Sequence, residues 1–461
     1  MTITEKKTDR GAGAMDMLTC NLWKGVLLFS LPLVASNLLQ VLFNMADIAV
    51  IGQFGGAMSL GSVGSTSILV SLFTGFLLGL GSGVNVTVAR RLGEGNVPAV
   101  RESVHTSLVI AVIYGLVMTL AGVLACAPIL TLMNTKEELF DGAVLYFRIY
   151  MLGCPAMAVY NFGSAVWSAA GNTRKPLIYL SIAGGLNVAL NLFFVLLMKL
   201  DVAGVALASV ISQYVSAVLV LISLFRCKGE WGLRVGQLKL RREPARQILR
   251  LSVPSGLQYA TFAIANLFVQ SGVNSFSAIM VSGNTAAANA DSIIYDVMAA
   301  FYTGCASFMG QNYGAGNRRR VRDSYLVALV YSFAVGAILG LGIMFNGRAF
   351  LSLFSGDAGV IEAGMLRLSV MGWSYAFSAF MDNTLAACRA LGRTLVPTIV
   401  LMLGSCVFRI VWIYTVFAAF HTIQALYLVY ISSWTVTATL EIICFVRSYR
   451  QLVVPLKPRQ S

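Results

Sequence analysis

Twelve long apolar runs constrain the fold of this chain more than any other feature of its sequence. They lie at roughly 24–53, 58–87, 103–127, 140–169, 176–198, 202–225, 249–275, 284–310, 323–346, 360–388, 394–418 and 422–446. A helix that crosses a bilayer needs about 20 mostly apolar residues, so each run is long enough to cross once. The chain is 57% hydrophobic and 11% charged, whereas a soluble domain carries about 25% charged residues. The sequence therefore predicts an all-α polytopic membrane protein with twelve transmembrane helices.

The distribution of positive charge predicts the orientation of these helices. The net charge is +14, and 27 of the 33 lysines and arginines lie in the two tails and the even-numbered loops or within two residues of them. Because loops rich in Lys and Arg stay on the cytoplasmic side, this asymmetry indicates orientation, and we expect no nucleic-acid partner. We expect a multi-pass protein of the cell membrane with a cytoplasmic N-terminal tail (1–23), a basic cytoplasmic linker (226–248) and a cytoplasmic C-terminal tail (447–461).

An internal repeat divides the chain into two halves. Matching blocks lie at 30–32 and 252–254, at 93–96 and 314–317, and at 171–176 and 392–397. The two lobes, 24–225 and 249–446, each contain six predicted helices. Because six is even, both lobes begin on the same side, and the repeats are parallel. Parallel bundles of this kind are an architecture of secondary transporters, although duplication could also serve only to enlarge the bundle.

One face of helix 1 carries a polar stripe. It consists of Asn37, Gln40, Asn44 and Asp47, whose spacings of 3, 4 and 3 place them on one helical face. A carboxylate at mid-membrane costs about 2.5–3.5 kcal/mol, so Asp47 indicates a function or a specific partner. A polar stripe on an apolar helix faces a cavity or another helix. We predict that Asp47 takes part in ion coupling and that the other three side chains line a substrate cleft.

Two further helices of the first half carry polar pairs. Asn187 and Asn191 are four residues apart on helix 5, as are Ser209 and Gln213 on helix 6, so each pair shares a face. A carboxylate, two amide oxygens and a hydroxyl could surround a small hard cation, because such ions prefer oxygen ligands. We therefore assign Asn187, Asn191 and Ser209 to the ion-coupling site and Gln213 to the cleft. The alternative is that these side chains only join helices through hydrogen bonds.

The second half is not a copy of the first in its polar residues. Its candidates for the substrate cleft are Asn266, Gln270, Asp291, Asp296 and Asp382. The alternative for the acids is structural pairing, in which Arg409 is a possible partner. Glu441 lies six residues before Arg447 and is interpreted as a side chain that reaches the membrane interface.

Other classes of function lack their signatures. No nucleophile–base pair or metal cluster is evident in the apolar runs, and no Walker motif is present, so we expect neither an enzyme nor an ATPase. The eight cysteines show no metal-binding spacing. Two unlike halves without a signature filter also argue against a channel. We expect no cofactor.

Several segments, in order along both halves, resemble one transporter family. They are SLPLVASNLLQVLFNMADIAVIG, AAGNTRKP, LNVALN, GVALASVISQ, GQNYGAGN and ALGRTLVP. Over almost its whole length the chain resembles the multidrug and toxic compound extrusion (MATE) family of antiporters. The resemblance implies two six-helix bundles that form a V-shaped cleft. It also implies export of lipophilic, often cationic, drugs or toxic metabolites in exchange for inward H⁺ or Na⁺.

The resemblance also assigns roles to individual residues. Asp47 occupies the position of the family's N-lobe acid, Asn187 that of a family Asn, and Ser209 a position where some members have Thr. Asn191 stands where some members have Asp, which removes a charge and weakens the case for Na⁺. If the ion is Na⁺, Asp47, Asn187 and Asn191 would be its ligands. Helix 7 lacks the acid that some members use.

The resemblance sets the expected partners of the chain. These are small lipophilic cations and membrane lipids, and we expect a monomer. The alternative, from the same superfamily, is a flippase for a lipid-linked or amphipathic metabolite.

Overall fold

A computed structural model describes residues 14–133 and 135–455, so parts of the predicted tails 1–23 and 447–461 lie outside the described residues. The helices of the first half are α1 (Leu22–Val50), α2 (Gly56–Ser65), α3 (Ser67–Glu94), α4 (Val97–Leu132), α5 (Glu137–Met151), α6 (Cys154–Ala169), α7 (Arg174–Leu192) and α8 (Asp201–Phe225). Short π-helical turns, Ile51–Gly55 and Phe193–Leu197, continue α1 and α7.

The second half follows the same order of long helices. Its helices are α9 (Arg242–Val273), α10 (Ala278–Gly314), α11 (Arg318–Phe345), α12 (Gly347–Ser352), α13 (Ala358–Ala390), α14 (Leu395–Leu401), α15 (Phe408–Trp412), α16 (Ala418–Phe420) and α17 (Ile423–Leu452). The π-helical turns Met402–Val407 and Ile413–Phe417 join α14, α15 and α16 into one continuous helix.

The described helices agree with the predicted membrane class. Nine are long and apolar enough to cross a bilayer, or ten if α5 and α6, which meet at a bend of 44°, form one span. The remaining predicted spans correspond to α9 and α13, which are 32 and 33 residues long but fall outside that group. The prediction of an all-α polytopic fold is confirmed.

The described chain forms two compact units. The first contains the described residues up to Cys20 together with Leu39–Gly256. The second contains Asn21–Leu38 and the residues from Leu257 onward. The predicted lobe boundaries differ here, because residues 21–38 pack in the second unit, where Ser30 Oγ donates to the Ala300 carbonyl at 3.4 Å. Helices α1 and α9 therefore each contribute residues to both units.

The repeated Gly-x-Gly-Asn segments have a common structural cause. Gly95 and Gly316 adopt φ values of 65° and 75°, a left-handed conformation that glycine adopts without steric cost. The following residue caps the next helix in both cases: Asn96 accepts from the Ala99 N–H, and Asn317 from the Arg320 N–H, each at 3.1 Å. The repeat thus preserves two equivalent helix connections.

The basic linker is shorter than predicted. Helix α9 begins at Arg242, so the linker, which contains a 3₁₀ turn at Val235–Gln237, ends before residue 248. The linker packs on its own unit, since Trp231 is 3% exposed and lies 6.2 Å from the Trp167 ring. The Arg234 N–H also donates to His105 Nε2 at 2.9 Å. The linker is therefore an integral part of the first unit.

Candidate functional site

The structure brings Asp47 together with three polar residues of α7 and α8. Ser209 Oγ donates to Asp47 Oδ2 at 3.0 Å, and Asn191 Nδ2 donates to Asp47 Oδ1. Asn187 links the two donors: its Nδ2 donates to Ser209 Oγ at 3.4 Å, and its Oδ1 accepts from Asn191 at 3.3 Å. The four residues predicted for ion coupling form one network inside the first unit.

Backbone irregularities lie directly after two members of this network. Asp47 is followed by the π-helical turn Ile51–Gly55, and Asn191 by the π-helical turn Phe193–Leu197. A π-turn widens the helix locally and is frequent at functional sites. Both turns come after the polar residues in the chain, so Asn187 and Asn191 keep their common face within the regular part of α7.

One polar atom of the network has no partner. Asn191 is fully buried, and its Oδ1 makes no hydrogen bond. Its amide nitrogen donates to both Asp47 and Asn187, an arrangement that suits a carboxylate. If the amides of Asn191 and Asn187 turned over together, the Asn191 oxygen would face Asp47 and accept from Asn187, and this suits a protonated carboxyl or a bound cation. The network can therefore satisfy two charge states of Asp47.

The surroundings of Asp47 include aromatic side chains that the sequence analysis did not single out. The rings of Tyr146 and Tyr150 stack with centroids 5.9 Å apart, and both lie within electrostatic reach of Asp47. The signal available in the sequence was their i, i+4 spacing in the fourth apolar run. The two tyrosine rings therefore belong to the electrostatic surroundings of the Asp47 carboxylate.

The other first-half candidates do not join this network. Gln40 and Asn44 are exposed side chains of α1. Gln213 has a buried Oε1 without a hydrogen-bond partner, and that oxygen occupies the space that a Cβ at Gly153 would need. Asn37 packs in the second unit, where its Nδ2 donates to the Asp296 carbonyl at 2.7 Å. The polar stripe on α1 is therefore divided between the units.

Asp291 of the second unit pairs with an arginine that the sequence analysis did not consider. Asp291 accepts from Arg367 and from the Tyr375 hydroxyl, and Arg367 also donates to Asn284 Oδ1 at 2.6 Å. Asp291 therefore has a structural partner, as the alternative held, but that partner is Arg367 and not Arg409. Arg409 was singled out because it is a charged residue inside a predicted span. Arg367 lies inside the predicted span 360–388, so the same criterion applied to it.

Arg409 binds neutral groups. Its Nη1 donates to Asn266 at 2.9 Å, its Nε donates to Ser433 at 3.2 Å, and its guanidinium lies 4.6 Å from the Tyr430 ring centroid. Gln270 donates to Asn274 at 2.9 Å and accepts from Asn284 at 3.2 Å. Three candidates of the second unit are thus held by hydrogen bonds to side chains of neighbouring segments: Asn266, Gln270 and Asp291.

Glu441 contradicts its sequence interpretation. The residue is 0% exposed, and neither carboxyl oxygen has a hydrogen-bond partner, so it does not reach an interface. The groups that act on it electrostatically are Arg389 and Asp382 of α13. Arg389 itself donates to Gln258 of α9.

Comparison with known proteins identifies the family. The MatE family profile matches residues 32–193 and again residues 254–415. The chain is 27% identical over 368 residues to the probable multidrug resistance protein YpnP of Bacillus subtilis, covering 79% of this chain and 81% of the relative. It is 26% identical over 391 residues to the probable multidrug resistance protein NorM of Thermotoga maritima, covering 82% of each. A FAD transporter of Shewanella oneidensis is 22% identical over 353 residues, covering 75% of this chain and 77% of that protein.

Solved structures share the fold. A structure described as an outward-facing conformation of a multidrug resistance MATE family transporter superposes with a TM-score of 0.87 at 22% identity, over 96% of this chain and 98% of that chain. A MOP superfamily transporter from Pyrococcus furiosus gives 0.88 at 21% identity, over 95% and 98%.

The twofold family match, the apolar helices and the buried polar networks define a multi-pass membrane transporter of small molecules, not an enzyme. The chain belongs to the MatE family, that of the multidrug and toxic compound extrusion transporters. The two matched segments begin 222 residues apart, which agrees with the internal repeat.

Proposed function

We propose that the protein is a secondary antiporter that exports lipophilic, often cationic, compounds in exchange for inward H⁺ or Na⁺. The observation that carries the proposal is the Asp47 network, in which one acid is surrounded only by neutral donors and by a buried amide oxygen without a partner. A half-buried carboxylate without a cationic partner gains from any cation that neutralises it. An incoming ion and an outgoing cation can therefore compete for the same charge.

The chemistry of the network favours H⁺ as the coupling ion. Sodium prefers several oxygen ligands, whereas Asn191 presents N–H groups to Asp47 and Asn187. A proton needs only one carboxyl oxygen, and Asn191 can then turn its oxygen to accept the new hydroxyl.

The relatives support the substrate class. YpnP and NorM are named for multidrug resistance, and none of the relatives reported above is named as a flippase, so the flippase alternative gains no support. We further propose that Asp291, Asp296 and Asp382 tune substrate binding and that the cell membrane holds the protein with both termini in the cytoplasm.

The experiment that tests this proposal uses purified protein in liposomes loaded with ethidium, a fluorescent lipophilic cation. A proton gradient and a sodium gradient are imposed separately, and ethidium efflux is followed. We expect efflux under the proton gradient. Efflux that responds to neither gradient would overturn antiport, and efflux under the sodium gradient alone would assign Na⁺.

A further inference from the structure

Glu441 is a buried acid that the Asp47 network does not explain. It lies on α17, is 0% exposed, and both its oxygens lack a hydrogen-bond partner. A buried carboxylate is retained only when it is paired or hydrogen-bonded, because its charge is otherwise strongly disfavoured. The described arrangement therefore suits Glu441 as a neutral carboxylic acid that carries a proton.

The charges around Glu441 favour a state in which one proton is bound there. The titratable and charged groups that face it are Asp382, Cys388 and Arg389 of α13 and Cys444 of its own helix. Beyond Arg389, Tyr259 and Asp296 are the next such groups. The segment 395–420 also packs against α17. Its neutral Ser405 hydroxyl hydrogen-bonds with the hydroxyl of Thr437, one turn before Glu441. One guanidinium balances one carboxylate, so Asp382 and Glu441 cannot both be ionised without an uncompensated buried charge.

Arg389 is the group that can respond to this proton. It donates to Gln258 of α9, while its own Nε is buried without a hydrogen-bond partner. If Glu441 loses its proton, Arg389 is the available cation to pair with it. Gln258 follows closely after Gly256, where α9 passes from the first unit to the second. A shift of Arg389 from Gln258 to Glu441 would therefore act on a helix that belongs to both units.

We propose that Glu441 is a second proton-binding site of the transport cycle, and that Arg389 senses its charge. This rests on the proposed antiport at Asp47. Water supplies the proton, which binds a carboxyl oxygen of Glu441 and changes its charge from −1 to 0; the same O–H bond breaks when the proton is released on the other side. A metal cation suits this site less well than a proton, because Arg389 would repel it and no group hydrogen-bonded to the Glu441 oxygens is in place to share its coordination.

The proposal predicts the number of protons exchanged for each substrate. With the membrane potential held at zero, each coupled proton sustains about a tenfold substrate gradient per pH unit. We expect about a hundredfold ethidium gradient per pH unit for the wild-type protein and about tenfold for Glu441→Gln. This equilibrium gradient does not depend on the amount or the speed of active protein.

Arg389 provides a second route if Glu441→Gln fails to fold. In Arg389→Gln no cation can pair with ionised Glu441, so the proton stays bound and the gradient also falls to about tenfold per pH unit. Arg389→Lys keeps the positive charge at this position and should sustain the wild-type gradient. Glu362→Gln, which neutralises an acid whose side chain is 60% exposed, is the matched control and should leave the gradient unchanged.

The outcomes separate this inference from the proposed function. If Glu441→Gln sustains the wild-type gradient while Asp47→Asn sustains none, antiport stands and the Glu441 site is refuted. If the wild-type protein sustains only a tenfold gradient per pH unit, the second proton is likewise refuted. If Asp47→Asn retains the full gradient, the proposed role of Asp47 fails instead.

Discussion

Replacing Asp47 by asparagine should separate coupling from folding. The change keeps the size of the side chain and removes only its titratable charge. The introduced amide oxygen can still accept from Asn191, and the introduced N–H can donate to Ser209 Oγ, because a hydroxyl both donates and accepts. At most one hydrogen bond of this network is lost, so the free energy of unfolding should fall by about 1 kcal/mol or less.

The loss of driving force is much larger. One monovalent ion that moves inward across about 100 mV supplies roughly 2.3 kcal/mol, which sustains roughly a fiftyfold gradient of a neutral substrate. For a monovalent cation exchanged for the Asp47 proton alone the charges cancel, and that one proton contributes about tenfold per pH unit. Asp47→Asn removes the exchange step itself, so we expect ethidium efflux to lose its dependence on the ion gradient.

The assay is ethidium efflux from proteoliposomes under separate proton and sodium gradients, with thermal unfolding measured on the same preparations. Asp141→Asn, which makes the same chemical change at an exposed residue of α5, is the matched control and should behave as wild type. An Asp47→Asn protein that still pumps ethidium at the wild-type rate under either gradient would refute the reasoning.

The remaining predictions concern the coupling ion, the linker, helix packing and selectivity. Asn191→Ala should have a mild effect if the ion is H⁺ but should weaken apparent Na⁺ affinity if it is Na⁺, measured from efflux against ion concentration. A cysteine in place of exposed Gln237 should react with an impermeant thiol reagent only in permeabilised cells, and labelling of intact cells would contradict the cytoplasmic linker. Gly79→Ala should lower stability by about 1–3 kcal/mol in thermal unfolding, because its Cβ would overlap the backbone nitrogen of Gly256 in α9, whereas Gly185→Ala, which meets nothing within 4 Å, should not. Asp291→Asn should change which cations are exported; an equal loss for every substrate would contradict a role in selectivity.

Helical periodicity was sufficient to predict the Asp47 network. The spacing of Asn187 and Asn191 fixes their common face, and the cost of a buried charge singles out Asp47. All four predicted coupling residues contact at least one other member. Their roles remain predictions, since geometry brings groups together without showing what they bind.

The second unit was harder to predict for a physical reason. In an apolar chain a helix face that meets lipid and a face that meets protein have similar composition. Hydropathy therefore does not show which face of a helix points toward the rest of the protein. Glu441 therefore looked like an interfacial side chain although it is fully buried. The pairing of Asp291 with Arg367 depends on the contact between α10 and α13, which no local spacing encodes.

The two halves share connections but divide the chemistry. Equivalent glycines and helix caps persist at Gly95 and Gly316, because the backbone demands them in both halves. The polar interiors differ: Asp47 has only neutral donors, whereas Asp291 has a fixed arginine partner. A carboxylate without a fixed counter-charge can exchange one cation for another, while a carboxylate paired to arginine already has its charge satisfied and has little to gain from a mobile ion. Duplication thus supplies a common framework, and we expect the difference in counter-charge to let Asp47 exchange cations while Asp291 takes no part in that exchange.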